Sequence, residues 1–283
     1  MEFDSDAIIS QVEELVEQRQ WPALREVLLP LPAADIALIL SELPEDRLPL
    51  LYRLLPKELA AEVFVEMEPE QQELLIKSFS DTELKEVLDE LYVDDAVDLI
   101  EEMPATVVKR ILQHTDPETR RSVNEILKYP EDSAGSIMTT EFVDLKKNLT
   151  VADAIKRIRR TGTDKETINY CYVTDPSRHL LGIVSIRTLL LAEEDDVIED
   201  IMDTNVVYAR TMDDKEDVAQ TLNKYGFLAL PVVDAEDRLV GIVTVDDAMD
   251  VMEEEATEDF ERMAAILPTD KPYLRTGVFE TVK

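Results

Sequence analysis

The stretch Leu230-Pro231-Val232-Val233-Asp234, followed by Gly241-Ile242-Val243-Thr244-Val245-Asp246-Asp247, decides the fold class. Each half is a short run of β-forming residues bounded by turn formers, and the second runs on into an acidic segment of helical character. The same arrangement occurs earlier: Tyr170-Cys171-Tyr172-Val173-Thr174-Asp175, the turn Asp175-Pro176-Ser177, then Gly182-Ile183-Val184-Ser185. Ile137-Met138-Thr139 answers to Ile201-Met202-Asp203, and the helical pattern of Ala152 to Arg160 answers to Glu216 to Tyr225. The chain therefore contains an internal duplication of a small α/β unit.

Upstream the pattern is different. From Pro32 to Pro130, breaks fall at nearly even intervals near Pro44, Pro56, Pro69, Asp81, Asp94, Pro104 and Pro117. Proline is tolerated at a helix start and not in its interior, so each break reads as the start of a new short helix. Between breaks the apolar residues keep helical spacing, as in Leu59, Val63 and Met67, or Leu84, Val87, Leu88 and Leu91. Short helices that cannot bury their faces alone predict a stacked α-superhelix. The polar stretch from Tyr129 to Gly135 reads as the boundary between this region and the duplicated one.

Composition narrows the function. Of 283 residues, 29 are Lys or Arg and 63 are Asp or Glu, a formal charge of −34, while 45% are hydrophobic. That hydrophobic share is enough for real cores, so the acids do not make a disordered tail. A surface this negative repels phosphate backbones, which argues against nucleic acid as a partner and in favour of cations or basic surfaces. The N-terminus is acidic and lacks the pattern of a signal peptide. The longest apolar runs, Ile36 to Leu40 and Leu48 to Leu51, fall far short of the ~20 residues that span a bilayer, so the chain as given reads as soluble. Cys171 is the only cysteine, consistent with a reducing compartment. His114 and His179 are far apart in sequence and the glycines never cluster, so a zinc site, a histidine triad and a phosphate loop are all disfavoured, and no enzyme is expected.

Acids crowd the segment 246–261, at 246, 247, 250, 253, 254, 255, 258, 259 and 261, with no basic residue until Arg262. Met249, Met252, Ala256, Phe260, Met263 and Leu267 recur at helical spacing, which predicts an amphipathic helix with that stripe as its apolar face. Asp250, Glu254 and Glu258 stack on one side, where like charges cost roughly 0.2–0.5 kcal/mol per pair unless solvent or a cation relieves them. A solvated face and a cation site both suit this pattern. If a metal binds, the shortage of Cys and His favours Mg2+ or Ca2+ held by oxygen, with Mn2+ also compatible. Asp94, Asp95 and Asp98 form a second acidic group, in which Asp94 also suits a helix N-cap.

The duplicated region, about residues 137–252, resembles a pair of CBS modules. Together with the acidic superhelix before it and the acidic helix after it, nearly the whole chain resembles the cytosolic part of the MgtE magnesium transporter family. The resemblance implies a multidomain α plus α/β fold: an α-superhelical N domain (1–130), a linker (131–136), CBS module 1 (137–198) and CBS module 2 (199–252). A plug-like connecting helix (246–267) follows, then a tail (268–283) leading toward a transmembrane pore domain absent from this chain. It further implies Mg2+ as ligand, with Glu62, Asp94 and Asp98 on the superhelix and Asp214 in the second module as candidate ligands. Asp247, Asp250, Glu255, Glu258 and Asp259, near and along the connecting helix, complete the set. Gly226 stands where the family can carry an acid, while Ser136 and Asn223 fall where the main chain contributes. A homodimer through the CBS pair and a place at the cytoplasmic face of the cell membrane are implied as well. CBS pairs often bind adenine nucleotides such as ATP, for which Tyr170, Arg187 and Phe227 are the candidates, although Thr188 stands where the ribose-contacting Asp is expected. The alternative reading is thus an adenine-nucleotide-sensing CBS protein whose acids serve solubility; an adaptor holding a basic partner is a third.

Overall fold

Prolines set the rhythm of the first unit. The computed structural model describes residues 5–264, and the chain divides into two compact units at Val123/Asn124. The first unit opens with α1 (Ser5–Glu17) and α2 (Trp21–Leu28), followed by α3 (Ala33–Ser41), α4 (Leu48–Tyr52), α5 (Lys57–Val65) and α6 (Pro69–Ser78). It continues with α7 (Asp81–Leu88), α8 (Val93–Glu102), α9 (Ala105–His114) and α10 (Pro117–Ile126). Pro32, Pro56 and Pro104 are the N-caps of α3, α5 and α9, and Pro69 and Pro117 open α6 and α10. In these places the missing N–H removes nothing the helix could use.

Both apolar stripes point inward as the spacing predicts: Val63 and Met67, and then Leu84, Val87, Leu88 and Leu91, are buried. Side chains tie successive helices by satisfying terminal groups that helical hydrogen bonding leaves over. Ser80 and Glu83 form a capping box at the start of α7. Arg53 Nε meets Glu83 Oε1 at 2.5 Å. That bond, with the Ser80 N–H, holds the Glu83 carboxyl down to about 2. Arg110 reaches back to the end of α6, donating to the carbonyls of Ile76 and, at 2.7 Å, Phe79.

The second unit holds two three-stranded sheets of identical plan. In the first, β1 (Val143–Lys146) runs parallel to β2 (Tyr170–Thr174), which pairs antiparallel with β3 (Leu180–Ser185). In the second, β4 (Ala209–Arg210), β5 (Ala229–Val233) and β6 (Leu239–Thr244) repeat this. Helices α11 (Val151–Thr161), α12 (Ile186–Leu191) and α13 (Ile198–Ile201) belong with the first sheet. Helices α14 (Lys215–Tyr225) and α15 (Val245–Ala264) belong with the second. The recurrent Ile-Met segments behave as exchanged arms. Thr139 pairs with Ile242 of the second sheet by hydrogen bonds of 2.8 and 2.9 Å, and Asp203 pairs with Ile183 of the first by bonds of 2.8 and 2.9 Å. Each module is therefore completed by the other's leading segment.

The two hairpin tips also meet, His179 bridging Arg238. Between the sheets, Tyr172, Ala229, Leu239 and Ile242 make a shared core, against which Phe142, Tyr170, Leu180 and Ile183 pack. The first module has its own core around Val143, Leu145, Cys171, Val173 and Val184. Burial there pushes the Cys171 thiol up to about 12, which leaves it unreactive. Among the described residues no helix is long and apolar enough to cross a membrane. The tail 268–283 lies outside the described residues.

One core residue is paired imperfectly. Tyr172 is 1% exposed and meets Phe142 edge to face at 5.7 Å, yet its hydroxyl is buried with no hydrogen-bond partner. An unsatisfied buried polar group costs about 1–3 kcal/mol. Tyr172→Phe keeps the ring contact and is expected to stabilise the fold by about 1 kcal/mol. A lower unfolding midpoint for this variant in urea contradicts that expectation.

Candidate metal centre

The acidic region is built where β6 turns into α15. Thr244 ends the strand, and its hydroxyl and N–H donate to Asp247 Oδ2 at 2.5 and 3.4 Å. Asp247 thus closes the first turn of α15. Burial is the largest influence on its carboxyl, and the neighbouring Asp246 and Asp250 add to it; against the Thr244 hydrogen bonds they raise it to about 6. A carboxyl in that state gains from any cation that takes the proton's place.

Further along α15, Asp250, Glu254 and Glu258 are exposed, while Glu255 is half-buried. The side chain of Asp259 lies outside the described residues. A counter-charge comes from the adjacent helix: Lys215 of α14, its side chain only 16% exposed, lies 3.4 Å from Glu254 Oε2. Sequence spacing missed Lys215, since it belongs to another element.

The apolar stripe expected to pack inward does not do so. Met249, Met252, Ala256 and Phe260 are exposed, and α15 is buried instead through Ala248, Val251 and Thr257. Small side chains let α15 lie close on its neighbours, and α14 packs along it. Met263 and Leu267 lie outside the described side chains.

Asp214 is exposed and N-caps α14, accepting from the Glu216 N–H at 2.9 Å. Beside it the 132–136 segment is pinned by Ala134 N–H to Asp213 O at 2.7 Å and Lys215 N–H to Asp132 O at 3.0 Å. Ser136 is buried, its hydroxyl donating to the Glu131 and Ser133 carbonyls. Gly226 has a structural reason: at φ +65° it is the left-handed C-cap of α14, with open space where a side chain would stand. Asn223 is exposed on the last turn of that helix.

In the first unit Glu62 is exposed on α5. Asp94 is not an N-cap. Tyr92 holds that position, and Asp94 sits buried in the first turn of α8, where the helix N-terminal N–H groups favour a carboxylate. Asp98, one turn later, is exposed. Among the described residues, no group of three or more His, Cys, Asp or Glu side chains forms a ready cage for a metal ion. The donor set is one of hard carboxylate oxygens with a buried, protonated thiol, which fits a hard divalent cation that keeps much of its water.

Two of the nucleotide candidates lie where β2 begins and β3 turns into α12, Tyr170 pairing with Ser185 and the Ile186 N–H donating to the Asn169 carbonyl at 3.0 Å. Tyr170 packs against the shared core, Arg187 is exposed, and Phe227 stacks on Tyr225 at 5.3 Å. Thr188 shares a 2.8 Å hydrogen bond with Ser185, the first-module counterpart of the Thr244–Asp247 contact.

The sequence of the first unit matches the model of the MgtE intracellular N domain over residues 31–132, and the CBS domain model matches 134–195 and 198–254. A crystal structure of the cytosolic domain of the Mg2+ channel MgtE in complex with ATP superposes with a TM-score of 0.80 at 39% identity, covering 86% of this chain and 99% of that one. The chain belongs to the MgtE family. The soluble part of a magnesium transporter gives a TM-score of 0.81 at 34% identity, covering 89% of this chain and 100% of that one. Among curated MgtE transporters, that of Thermus thermophilus is 40% identical over 94% of this chain and 60% of its own length. That of Bacillus subtilis is 34% identical over 92% and 58%. The chain therefore spans about three fifths of the length of these two transporters. The α-helical N domain followed by a CBS pair is the architecture of the MgtE cytosolic domain.

Proposed function

We propose that this chain is the cytosolic Mg2+-sensing regulatory region of a magnesium transporter, acting on a transmembrane pore domain of the same protein. The observation that carries the reading is the carboxylate face of α15, in a chain of the MgtE family with a formal charge of −34. Without Mg2+, like charges on α15, on the CBS pair and on the N domain repel. Mg2+ held by Glu62, Asp94, Asp98, Asp214, Asp247, Asp250, Glu255, Glu258 and Asp259 lowers that repulsion and bridges the parts, and the compacted state closes the pore. A ligand shifts such an equilibrium only by its differential affinity for the two states, and moving it from 1:99 to 99:1 takes about 5.5 kcal/mol. Several weak sites together supply this. No catalysis enters the reading.

Small-angle scattering during a Mg2+ titration, with Na+ holding ionic strength constant, tests the proposal. The expected result is a saturable fall in radius specific to Mg2+. Equal compaction by Na+ would reduce the effect to charge screening.

Two further assignments belong here. A similar cytosolic domain has been solved with ATP, which supports adenine-nucleotide binding by this chain at Tyr170, Arg187 and Phe227. Dimerisation through the CBS pair is supported by Leu190 of α12 and Met249 of α15. They occupy equivalent places in the duplication, five residues after Ser185 and Thr244, and are 68% and 65% exposed. Paired outward hydrophobics suit a two-fold interface. Leu190→Glu with Met249→Glu is expected to turn a dimer into a monomer in sedimentation, and an unchanged dimer would remove this face from the interface.

A further inference from the structure

The second module carries a lysine where its duplicate carries a buried valine. Helices α11 and α14 are each 11 residues long, and each starts after a capping residue, Thr150 for one and Asp214 for the other. The first helical residue is thus Val151 in α11 and Lys215 in α14. Val151 is 1% exposed, and its N–H donates to the Asp196 carbonyl at 2.9 Å. Lys215 keeps the main-chain part of this arrangement, its N–H donating to the Asp132 carbonyl at 3.0 Å, but its side chain ends in an ammonium. A cation at the first position of a helix faces the positive end of the helix dipole, which disfavours it. The neighbouring residues follow the rule, since Asp214, Glu216 and Asp217 are all acidic. Lys215 has little contact with water, at 16% side-chain exposure, and its ion pair with Glu254 is long, 3.4 Å to a carboxylate that is 59% exposed.

What the position gains is a place beside α15. The first-module counterpart of α15 is α12, which follows Ser185 as α15 follows Thr244, and α12 stops at Leu191. Glu254 lies in the part of α15 that extends beyond this plan. Asp250 and Glu258 stand one turn to either side of Glu254 on the same face, the spacing at which like charges repel. The Lys215 ammonium therefore meets this row of three acids at its middle member. A valine is replaced by a cation only in the module whose second helix carries the acidic extension.

We propose that Lys215 is a built-in counter-cation of α15 that competes with Mg2+ and sets the Mg2+ concentration at which the region responds. The inference rests on the sensing reading above and gives it a tuning residue that itself holds no metal. Without Mg2+, the ammonium offsets part of the repulsion among Asp250, Glu254 and Glu258. A hydrated divalent cation held by Asp250 or Glu258 meets the same ammonium as a like charge about one helical turn away. Its affinity is then lower than the carboxylates alone would give. The flexible four-carbon stem of lysine lets the ammonium withdraw from Glu254 as the metal arrives, with no movement of α14.

Scattering titrations of the full chain with Mg2+, again at constant ionic strength, test it. Lys215→Met keeps the stem and removes the charge, and is expected to lower the Mg2+ midpoint at least about threefold. Lys215→Gln is expected to do the same, so a folding defect in one variant leaves the other decisive. Lys215→Arg keeps the charge and is expected to hold the midpoint within about twofold. Lys156→Met takes one positive charge from the exposed side of α11, where Lys156 pairs with Asp153, and is expected to leave the midpoint unchanged. Melting temperature gives a second readout. At one sub-saturating Mg2+ concentration, the gain over EDTA is expected to be larger in Lys215→Met than in the wild type. A lysine that only held α14 against α15 would weaken the Mg2+ response when replaced, not strengthen it. A midpoint unchanged or raised in both neutral variants overturns the proposal, as does an equal fall in Lys156→Met. A wild type without Mg2+-specific compaction overturns the sensing reading and this inference with it, so the two failures are told apart.

Discussion

Gly241→Ala is expected to destabilise the CBS unit by about 3 kcal/mol, and Gly182→Ala by about 2 kcal/mol, the range in which overfilling a packed core falls. A Cβ on Gly241 would stand 2.6 Å from Met138 Sδ and 2.8 Å from the Thr139 carbonyl oxygen. A Cβ on Gly182 would stand 2.9 Å from Met202 Sδ and 2.8 Å from the Asp203 carbonyl oxygen. Methionine can swing away, but the carbonyls cannot. Thr139 O accepts from the Ile242 N–H at 2.9 Å and Asp203 O from the Ile183 N–H at 2.9 Å, so yielding breaks the pairing that joins each arm to the opposite module. Gly226→Ala is the matched control, because its Cβ meets nothing within 4 Å and only the φ of +65° penalises it, by about 1 kcal/mol. For a unit of this size 1 kcal/mol moves the melting point by about 2–4 °C. Calorimetry should therefore rank Gly241→Ala below Gly182→Ala and both below Gly226→Ala. Were Gly226→Ala the least stable of the three, steric exclusion by the exchanged arms would be the wrong account.

Those glycines show how far sequence reading reaches. Gly182 and Gly241 mark the duplication, and Met138-Thr139 and Met202-Asp203 mark it again, but that the two marks touch is a matter of tertiary pairing. Single bridges such as Thr139 to Ile242 carry no periodicity for a sequence to display. The superhelix was legible because Pro32, Pro56, Pro69, Pro104 and Pro117 act locally, each at a helix start. Helix α15 was legible as a helix, while its buried side was not. Ala248 and Val251 make as good a helical stripe as Met249 and Met252, and the choice falls to the helix packed beside it. Asp94 misled for a related reason, since two residues of displacement separate the cap, Tyr92, from a buried first-turn carboxylate. Lys215 and Glu254 lie on different helices, and only folding brings them together.

Asp247→Asn is expected to make the fold more stable above pH 6 in the absence of Mg2+, with no gain near pH 4. The wild-type carboxyl is raised to about 6 in the folded chain, chiefly by burial, against an ordinary value near 3.9 when unfolded. A raised acid binds its proton more tightly in the folded state, so the unfolded chain holds fewer protons between those two values. Stability contributed by this group is therefore full below about pH 4 and is lost as pH rises through 6. Asparagine keeps a carbonyl oxygen for the Thr244 hydroxyl and carries no charge to desolvate. The same shift gives the Mg2+ response a pH dependence, because the metal takes the ionised carboxylate. From pH 6 down to pH 5 the affinity of a site using Asp247 is expected to fall by about fivefold, the ionised fraction falling with it. In the Asn variant the Mg2+ midpoint lies at higher concentration at pH 7.5, and the dependence between pH 7.5 and 5 is shallower than in the wild type. Scattering titrations at three pH values read both effects. A wild-type midpoint that does not move across this range, or a variant that keeps the wild-type slope, would separate Asp247 from the Mg2+ response and leave it as the closing group of the first turn of α15.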